Sequence, residues 1–190
     1  MIQLQILKNF FSPEELLYIT EYTEPLLLDQ RTRQAVDLRL NPKSLEDRIV
    51  NTMRSFAQEK NIDLSEGDCL EKIKISKYSP GDFCHIHTDS TPVNDGTKVW
   101  STCRKVSFIT LLNDDFEGGR LLFSGLASAL TADMEADAEF VRIDGREYYC
   151  PDIKPGDLVI FPSWYMHMVT EVESGVRRSM QGWLLGPYWT

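Results

Sequence analysis

Residues 72–89 read KIKISKYSPGDFCHIHTD, and this stretch decides the fold. Its first half alternates, with Ile73 and Ile75 on one face of an extended chain and Tyr78 on the other, the two-residue period of a strand. Its second half, after turn punctuation, holds two of the three histidines in the chain. Downstream the same grammar repeats. VSFITLL and RLLF flank the turn-like NDDFEGG, and DLVIF, MHMVTEV and VRRSMQGWLL follow, broken at residues 154–157 and 173–175. FVRI and EYYC surround Asp144-Gly145, the strongest two-residue hairpin signal present.

Upstream the grammar is helical. In FFSPEELLYITEY, Ser12 suits an N-cap, Pro13 the first helical position and Glu15 the far corner of a capping box. A second helix is expected after Ser44, where Leu45, Ile49, Val50, Met53, Phe56 and Ala57 form one apolar stripe. Helices first and many short strands afterwards predict an α+β fold, its strands curled into a sandwich or barrel. The chain has 190 residues, 42% of them hydrophobic, which suits a single domain over 1–190: a helical support region at 1–69 and a β core at 70–190.

The formal net charge is -9, without a visible basic patch, so nucleic acid is not an expected partner. The acidic stretch TADMEADAEF reads as a solvated face. No segment has the unbroken apolar length to span a bilayer, and MIQLQILKNFF shows neither a basic leader nor a cleavage site, so a cytoplasmic protein without a membrane partner is expected. Cys69, Cys84, Cys103 and Cys150 form no CxxC pair and read as reduced thiols.

Alternation lets His87 and Asp89 present an imidazole and a carboxylate to one point, about 7 Å apart along a strand. His167, on a later strand, would bring a third donor across a curled sheet. Two histidines and one carboxylate suit iron(II) with vacant positions for oxygen chemistry. By the same parity His85 shares a face with His87 and competes for its place; spacing alone does not choose. Arg177 lies ten residues after His167, beyond the turn at 173–175, which predicts neighbouring antiparallel strands and a cation near the metal. An isolated buried arginine is costly, but a dicarboxylate chelating iron at one end needs a charge-assisted fork at the other.

From about Tyr78 to Trp183 the chain resembles the 2-oxoglutarate and iron(II)-dependent dioxygenases, in particular their prolyl 4-hydroxylase-like branch. KYSPGDFCHIHTD is similar to that family's tyrosine, glycine and His-x-Asp, with Gly81 six residues before His87, which favours His87 over His85. RKVSFITLLNDDFEGGRLLF and KPGDLVIFPSWYMHMVTEVESGVRRSMQGW resemble the segments that follow, the last with its distal histidine and, ten residues on, the basic residue for the cosubstrate.

The resemblance implies a double-stranded β-helix, or jelly roll, flanked by the N-terminal helices. It implies iron held by His87, Asp89 and His167, and 2-oxoglutarate held by Arg177 and Tyr78, with ascorbate left open as an accessory reductant. Ser107 and Ser179 stand where relatives use a hydroxyl near the cosubstrate, and Gly118 and Gly119 shape a turn. The implied reaction couples decarboxylation of 2-oxoglutarate by dioxygen to hydroxylation of a C–H bond. The favoured substrate is a prolyl or similar residue in a peptide or protein, with a free amino acid or small metabolite as the alternative. Outside the class stands a non-redox, cupin-like isomerase or binding module on the same barrel. Residues 90–103, with Trp100, read as a lid over substrate.

Overall fold

The computed structural model describes residues 4–27, 34–38, 40, 43–66, 69–90, 102–125 and 139–188. The capping box closes: Glu15 N–H donates to Ser12 Oγ at 3.2 Å, and Ser12 N–H donates to Glu15 Oε2 at 3.0 Å. Helix α1 (Pro13–Leu27) follows it, and α2 (Lys43–Glu59) buries the expected Leu45, Ile49, Met53, Phe56 and Ala57. Arg48 on α2 reaches both carboxylate oxygens of Glu15, at 2.9 and 2.7 Å, and ties the helices together.

Six strands form a large antiparallel sheet: β1 (Gln5–Leu7), β2 (Gln34–Leu38), β3 (Ile73–Tyr78), β5 (Thr102–Leu111), β10 (Leu158–Pro162) and β13 (Arg177–Pro187), in the order β1-β10-β5-β13-β3-β2. Opposite it lies a five-stranded antiparallel sheet of β4 (Cys84–His87), β7 (Leu121–Ser124), β8 (Glu139–Ile143), β9 (Arg146–Cys150) and β11 (His167–Val169), in the order β4-β11-β7-β9-β8. A short ribbon of β6 (Phe116–Gly118) and β12 (Val172–Gly175) completes the α+β double-stranded β-helix. The Asp144-Gly145 hairpin forms as read, with both residues at positive φ, 49° and 76°.

Alternation sorts the large sheet. Its outer face packs Ile73, Ile75, Phe108, Ile160 and Met180 against Ile49, Met53 and Phe56 of α2. Each such side chain contributes ~1.5–3 kcal/mol by leaving water. Its inner face joins a second cluster with the small sheet, where Tyr78, Phe123, Phe161 and Val169 meet.

Three expectations are corrected. The region before residue 70 is not purely helical, because β1 and β2 supply both edges of the large sheet. NDDFEGG contains a strand, β6, and MHMVTEV divides into β11 and β12. His167 and Arg177 do not lie on neighbouring strands: β11 pairs with β4 and β7, whereas β13 pairs with β3 and β5, so the two residues stand on opposite sheets. The ten-residue gap spans a crossover through β12 rather than a hairpin. Residues 91–101 of the expected lid, Trp100 among them, and residues 131–138 of the acidic stretch lie outside the described residues. Among the described residues no helix is long and apolar enough to cross a membrane, and all four cysteines are free thiols.

Candidate metal centre and cosubstrate pocket

β4 ends on His87 and β11 begins on His167, and the two are direct partners across the pair. The next partners are Val169 and Cys84, so two steps along β11 match three along β4. That bulge overturns the parity argument. Cys84 and His87 line the same cavity, while His85 is exposed and packs edge-on against Phe83. The structure thereby removes His85 from competition.

Asp89 sits two residues past the strand, not on it, and its N–H donates to Ser163 O at 2.8 Å. Its carboxylate is 7% exposed. Ser107 Oγ, from the large sheet, donates to Asp89 Oδ2 at 2.8 Å and lies 2.9 Å from Ser163 Oγ. The carboxylate is thus oriented by two hydroxyl-bearing residues, of which sequence reading noticed only Ser107 and gave it a different neighbour. His87 Nε2 is 3.6 Å from Asp89 Oδ1, and His167 Nε2 is 3.6 Å from Asp89 Oδ2. One donor atom from each of the three residues falls within 4.8 Å of the others.

The outer ring nitrogens decide what these imidazoles can do. His87 Nδ1 lies 2.8 Å from His85 O, and His167 Nδ1 lies 2.9 Å from Tyr165 O. A carbonyl only accepts, so each Nδ1 carries a proton and each Nε2 can offer a lone pair inward. Donors on one octahedral face lie about 3 Å apart for metal–nitrogen bonds of about 2.1 Å, a little closer than the 3.6 Å found here. The donor set fits iron(II).

Charge agrees. Asp89 beside His87 is the main reason its imidazole rises to about 10, with Cys84 and the His85 carbonyl adding to it. Burial works to raise the Asp89 carboxyl, but the His87 hydrogen bond, His167, Trp183 and Ser107 together hold it down at about 2. Burial lowers His167, outweighing the attraction of Asp89. Without a cation the cluster therefore keeps one proton, on His87, which a divalent ion would displace.

Over these donors opens a cavity of about 450 Å³. Its opposite wall is the inner face of the large sheet, with Tyr78, Arg177, Ser179, Gln181 and Trp183. Arg177 is 1% exposed; its Nε donates to Gly119 O at 2.8 Å and its Nη1 to Ser179 Oγ at 2.9 Å. Tyr78 is its partner across the β3–β13 pair, and the guanidinium carbon stands 5.3 Å from the tyrosine ring centre. Gly119 has φ +57°, and a Cβ there would meet Arg177 Cδ at 2.8 Å. Gly119 is therefore the arginine's cradle as well as a turn residue, a role the Gly-Gly pair alone did not announce. Tyr78, His87, Asp89, His167 and Arg177 all line the one cavity. Ser163, Lys74 and Trp183 were missed, and Gly119 was read only as a turn residue, because their importance depends on which strands become neighbours.

The sequence model of the 2OG-Fe(II) oxygenase superfamily matches residues 73–185, more than half of the chain. The chain belongs to this superfamily. The metal and cosubstrate of this oxygenase are accordingly iron(II) and 2-oxoglutarate. A PKHD-type hydroxylase of Idiomarina loihiensis is 27% identical over 117 residues, which is 60% of this chain and only 42% of that protein. The match thus takes in less than half the length of that relative. Among solved structures, the viral collagen prolyl hydroxylase of Paramecium bursaria Chlorella virus-1, in complex with 2OG, superimposes with TM-score 0.65 at 16% identity, covering 98% of this oxygenase and 96% of that chain. A Trichoplax adhaerens prolyl hydroxylase, in complex with a hypoxia inducible factor peptide fragment, gives TM-score 0.62 at 15% identity, covering 96% and 83%. At such identities the likeness is one of fold.

Proposed function

We propose that this oxygenase hydroxylates an unactivated C–H bond of a prolyl or similar residue in a peptide or protein, with His87, Asp89 and His167 as iron ligands and Arg177 and Tyr78 as the 2-oxoglutarate clamp. The observation that carries the reading is the convergence of three donor atoms within 4.8 Å, facing a buried arginine across one cavity. When bound, iron(II) and 2-oxoglutarate supply the oxidising power for dioxygen-dependent hydroxylation, with succinate and carbon dioxide as coproducts.

The chain's own residues do the positioning. Asp89 supplies the single negative charge of the ligand set, and Ser107 fixes which oxygen it turns inward. Gly119 and Ser179 hold the Arg177 guanidinium rigidly in the wall, so that it meets a distal carboxylate as a preset cation. Phe123 and Phe161, with ring centres 5.8 and 4.9 Å from that of His167, keep bulk water from its far side. A non-redox barrel has no use for a cation opposite its metal, which weighs against the cupin-like alternative. A peptide substrate is favoured by the peptide held in the Trichoplax neighbour. A single domain over 1–190 goes with this reading, since β1 and β2 complete the sheet that carries Arg177.

The test is anaerobic addition of iron(II) and then 2-oxoglutarate, followed by the weak visible charge-transfer band of the chelate. The band is expected in the wild type and absent in His87→Ala. In Arg177→Ala it needs ~10–100-fold more 2-oxoglutarate, the worth of hydrogen bonds to a charged group. A folded wild-type protein without the band ends the proposal. Succinate release stimulated by a prolyl peptide but not by free proline supports the peptide substrate; the reverse favours the metabolite.

A further inference from the structure

The wall beside Asp89 is built from more than hydroxyls. Trp183 on β13 is the direct partner of Ser107 on β5, so the two side chains leave the sheet together, with Cβ atoms about 5 Å apart. Ser107 donates to Asp89 Oδ2, and Trp183 and Asp89 line the same cavity. The indole is buried, 6% exposed. Its N–H faces the Asp89 carboxylate and helps to keep that group ionised, without closing a hydrogen bond to any acceptor among the described residues. An indole donates and cannot accept, so a buried one is matched only by an acceptor, and the carboxylate is the acceptor it faces.

A closed loop of three residues fixes the ring. Arg104 stacks its guanidinium carbon 3.8 Å from the ring centre. Arg104 in turn donates to the Glu71 carboxylate through Nε at 2.6 Å and Nη2 at 2.5 Å, and the Glu71 N–H donates to Trp183 O at 2.9 Å. Carboxylate, guanidinium and indole are thereby tied back to the backbone that carries the indole. Lys74 sets a further cation 5.5 Å from the ring centre. Apolar packing alone needs none of this. It holds volume, whereas a forked ion pair stacked on a ring holds the plane of that ring, and the plane sets where the N–H points.

We infer that Trp183, held by Arg104 and Glu71, is a positioning residue for Asp89: its indole N–H is the second donor, after Ser107 Oγ, that directs the carboxylate at the metal. The inference rests on the reading of His87, Asp89 and His167 as the metal ligands. Two donors that occupy its lone pairs leave Asp89 to meet the ion through one oxygen rather than two. A coordination position that a chelating carboxylate would fill then stays open, and oxygen chemistry at a site of two histidines and one carboxylate needs such positions. Trp183 acts through Asp89, and its part in the reaction requires no contact with substrate or cosubstrate.

The experiment uses the full chain with metal alone, Zn(II) for nuclear magnetic resonance and Mn(II) for affinity and water relaxation. With isotope-labelled tryptophan, the indole signal absent from Trp183→Phe is that of Trp183, and in the wild type it is expected to move downfield as Zn(II) binds and the N–H closes on the ligated carboxylate. Trp183→Phe keeps a ring against Arg104 and loses the N–H; its Mn(II) affinity should fall ~10-fold or more. Its Mn(II)-induced water relaxation should drop by about one third, as a chelating carboxylate takes one of three open positions. Arg104→Met keeps the N–H and frees its plane, and should lose about two- to fivefold in Mn(II) affinity, the worth of the stack. An indole signal indifferent to Zn(II), Trp183→Phe with wild-type affinity and relaxation, or Arg104→Met with wild-type affinity overturns the inference and leaves the ligand set standing. If Trp183→Phe does not fold, the Zn(II) shift and Arg104→Met decide. A folded wild type that takes up neither ion removes the ligand set and the inference together.

Discussion

The two faces of the large sheet are made by the same strands and behave as different materials. On β3, Ile73 and Ile75 turn outward to α2, while Lys74 and Tyr78 turn inward to the cavity. On β13, Met180 and Leu184 belong to the outer core, and Arg177, Ser179, Gln181 and Trp183 to the site. The outer face gains stability by excluding water from apolar surface, which needs volume and shape but no particular orientation. The inner face needs fixed directions, and obtains them from hydrogen bonds: Ser107 to Asp89, Arg177 to Ser179, Gln181 to Ser76. A strand's two-residue period lets one face bear the cost of the other's buried polar groups without sharing side chains.

Phe56→Ala is the sharpest way to break that separation. Phe56 is 1% exposed, in the helix layer against the outer face. Its truncation should cost ~3–5 kcal/mol of unfolding free energy, measured by urea denaturation. Iron and 2-oxoglutarate affinities, measured on the folded protein, should stay within about twofold. A large loss of affinity would mean that the two faces are mechanically coupled.

Ser107→Ala probes the inner face alone. Its hydroxyl is fully buried between Asp89 and Ser163, and removing the orientation of a metal ligand typically lowers metal affinity by ~10–100-fold. Titration with cobalt(II) should show that loss, and oxygenase turnover should fall with it. Lost stability with unchanged cobalt affinity would reassign Ser107 to the scaffold.

What was legible in the sequence divides along the same line. The capping box at Ser12–Glu15, the stripe on α2 and the Asp144-Gly145 turn are local patterns, and each formed as read. The convergence of His87, Asp89 and His167 was legible because a rare residue type recurs in a familiar spacing. The placement of His85 was not, since the bulge in β4 exists only relative to its partner β11. Nor was the sheet carrying Arg177: a gap of ten residues with a turn serves a hairpin and a crossover equally, and only pairing distinguishes them. Ser163, Gly119 and Trp183 share that reason, each acquiring its role from a residue 56 or more positions away or from the cavity as a whole.

Acidity separates the faces most gently. The outer face has few groups to titrate, whereas the proposed metal centre holds a proton on His87, raised to about 10 chiefly by Asp89. Below that value every divalent ion must displace this proton, so apparent affinity should climb about tenfold per pH unit between about 7 and 9 and level off above about 10. Asp89, held at about 2, and His167, lowered by burial, exchange no proton in that window. The sign for the fold is opposite. A histidine whose folded value exceeds the unfolded one of about 6.5 stabilises the cation-free protein below that pH. The gain disappears as pH rises through about 10. Cobalt(II) calorimetry in buffers of differing ionisation enthalpy should therefore report one proton released per ion at pH 7.5. A value near zero would place a neutral His87 beside Asp89 and give both faces of the sheet the same indifference to pH.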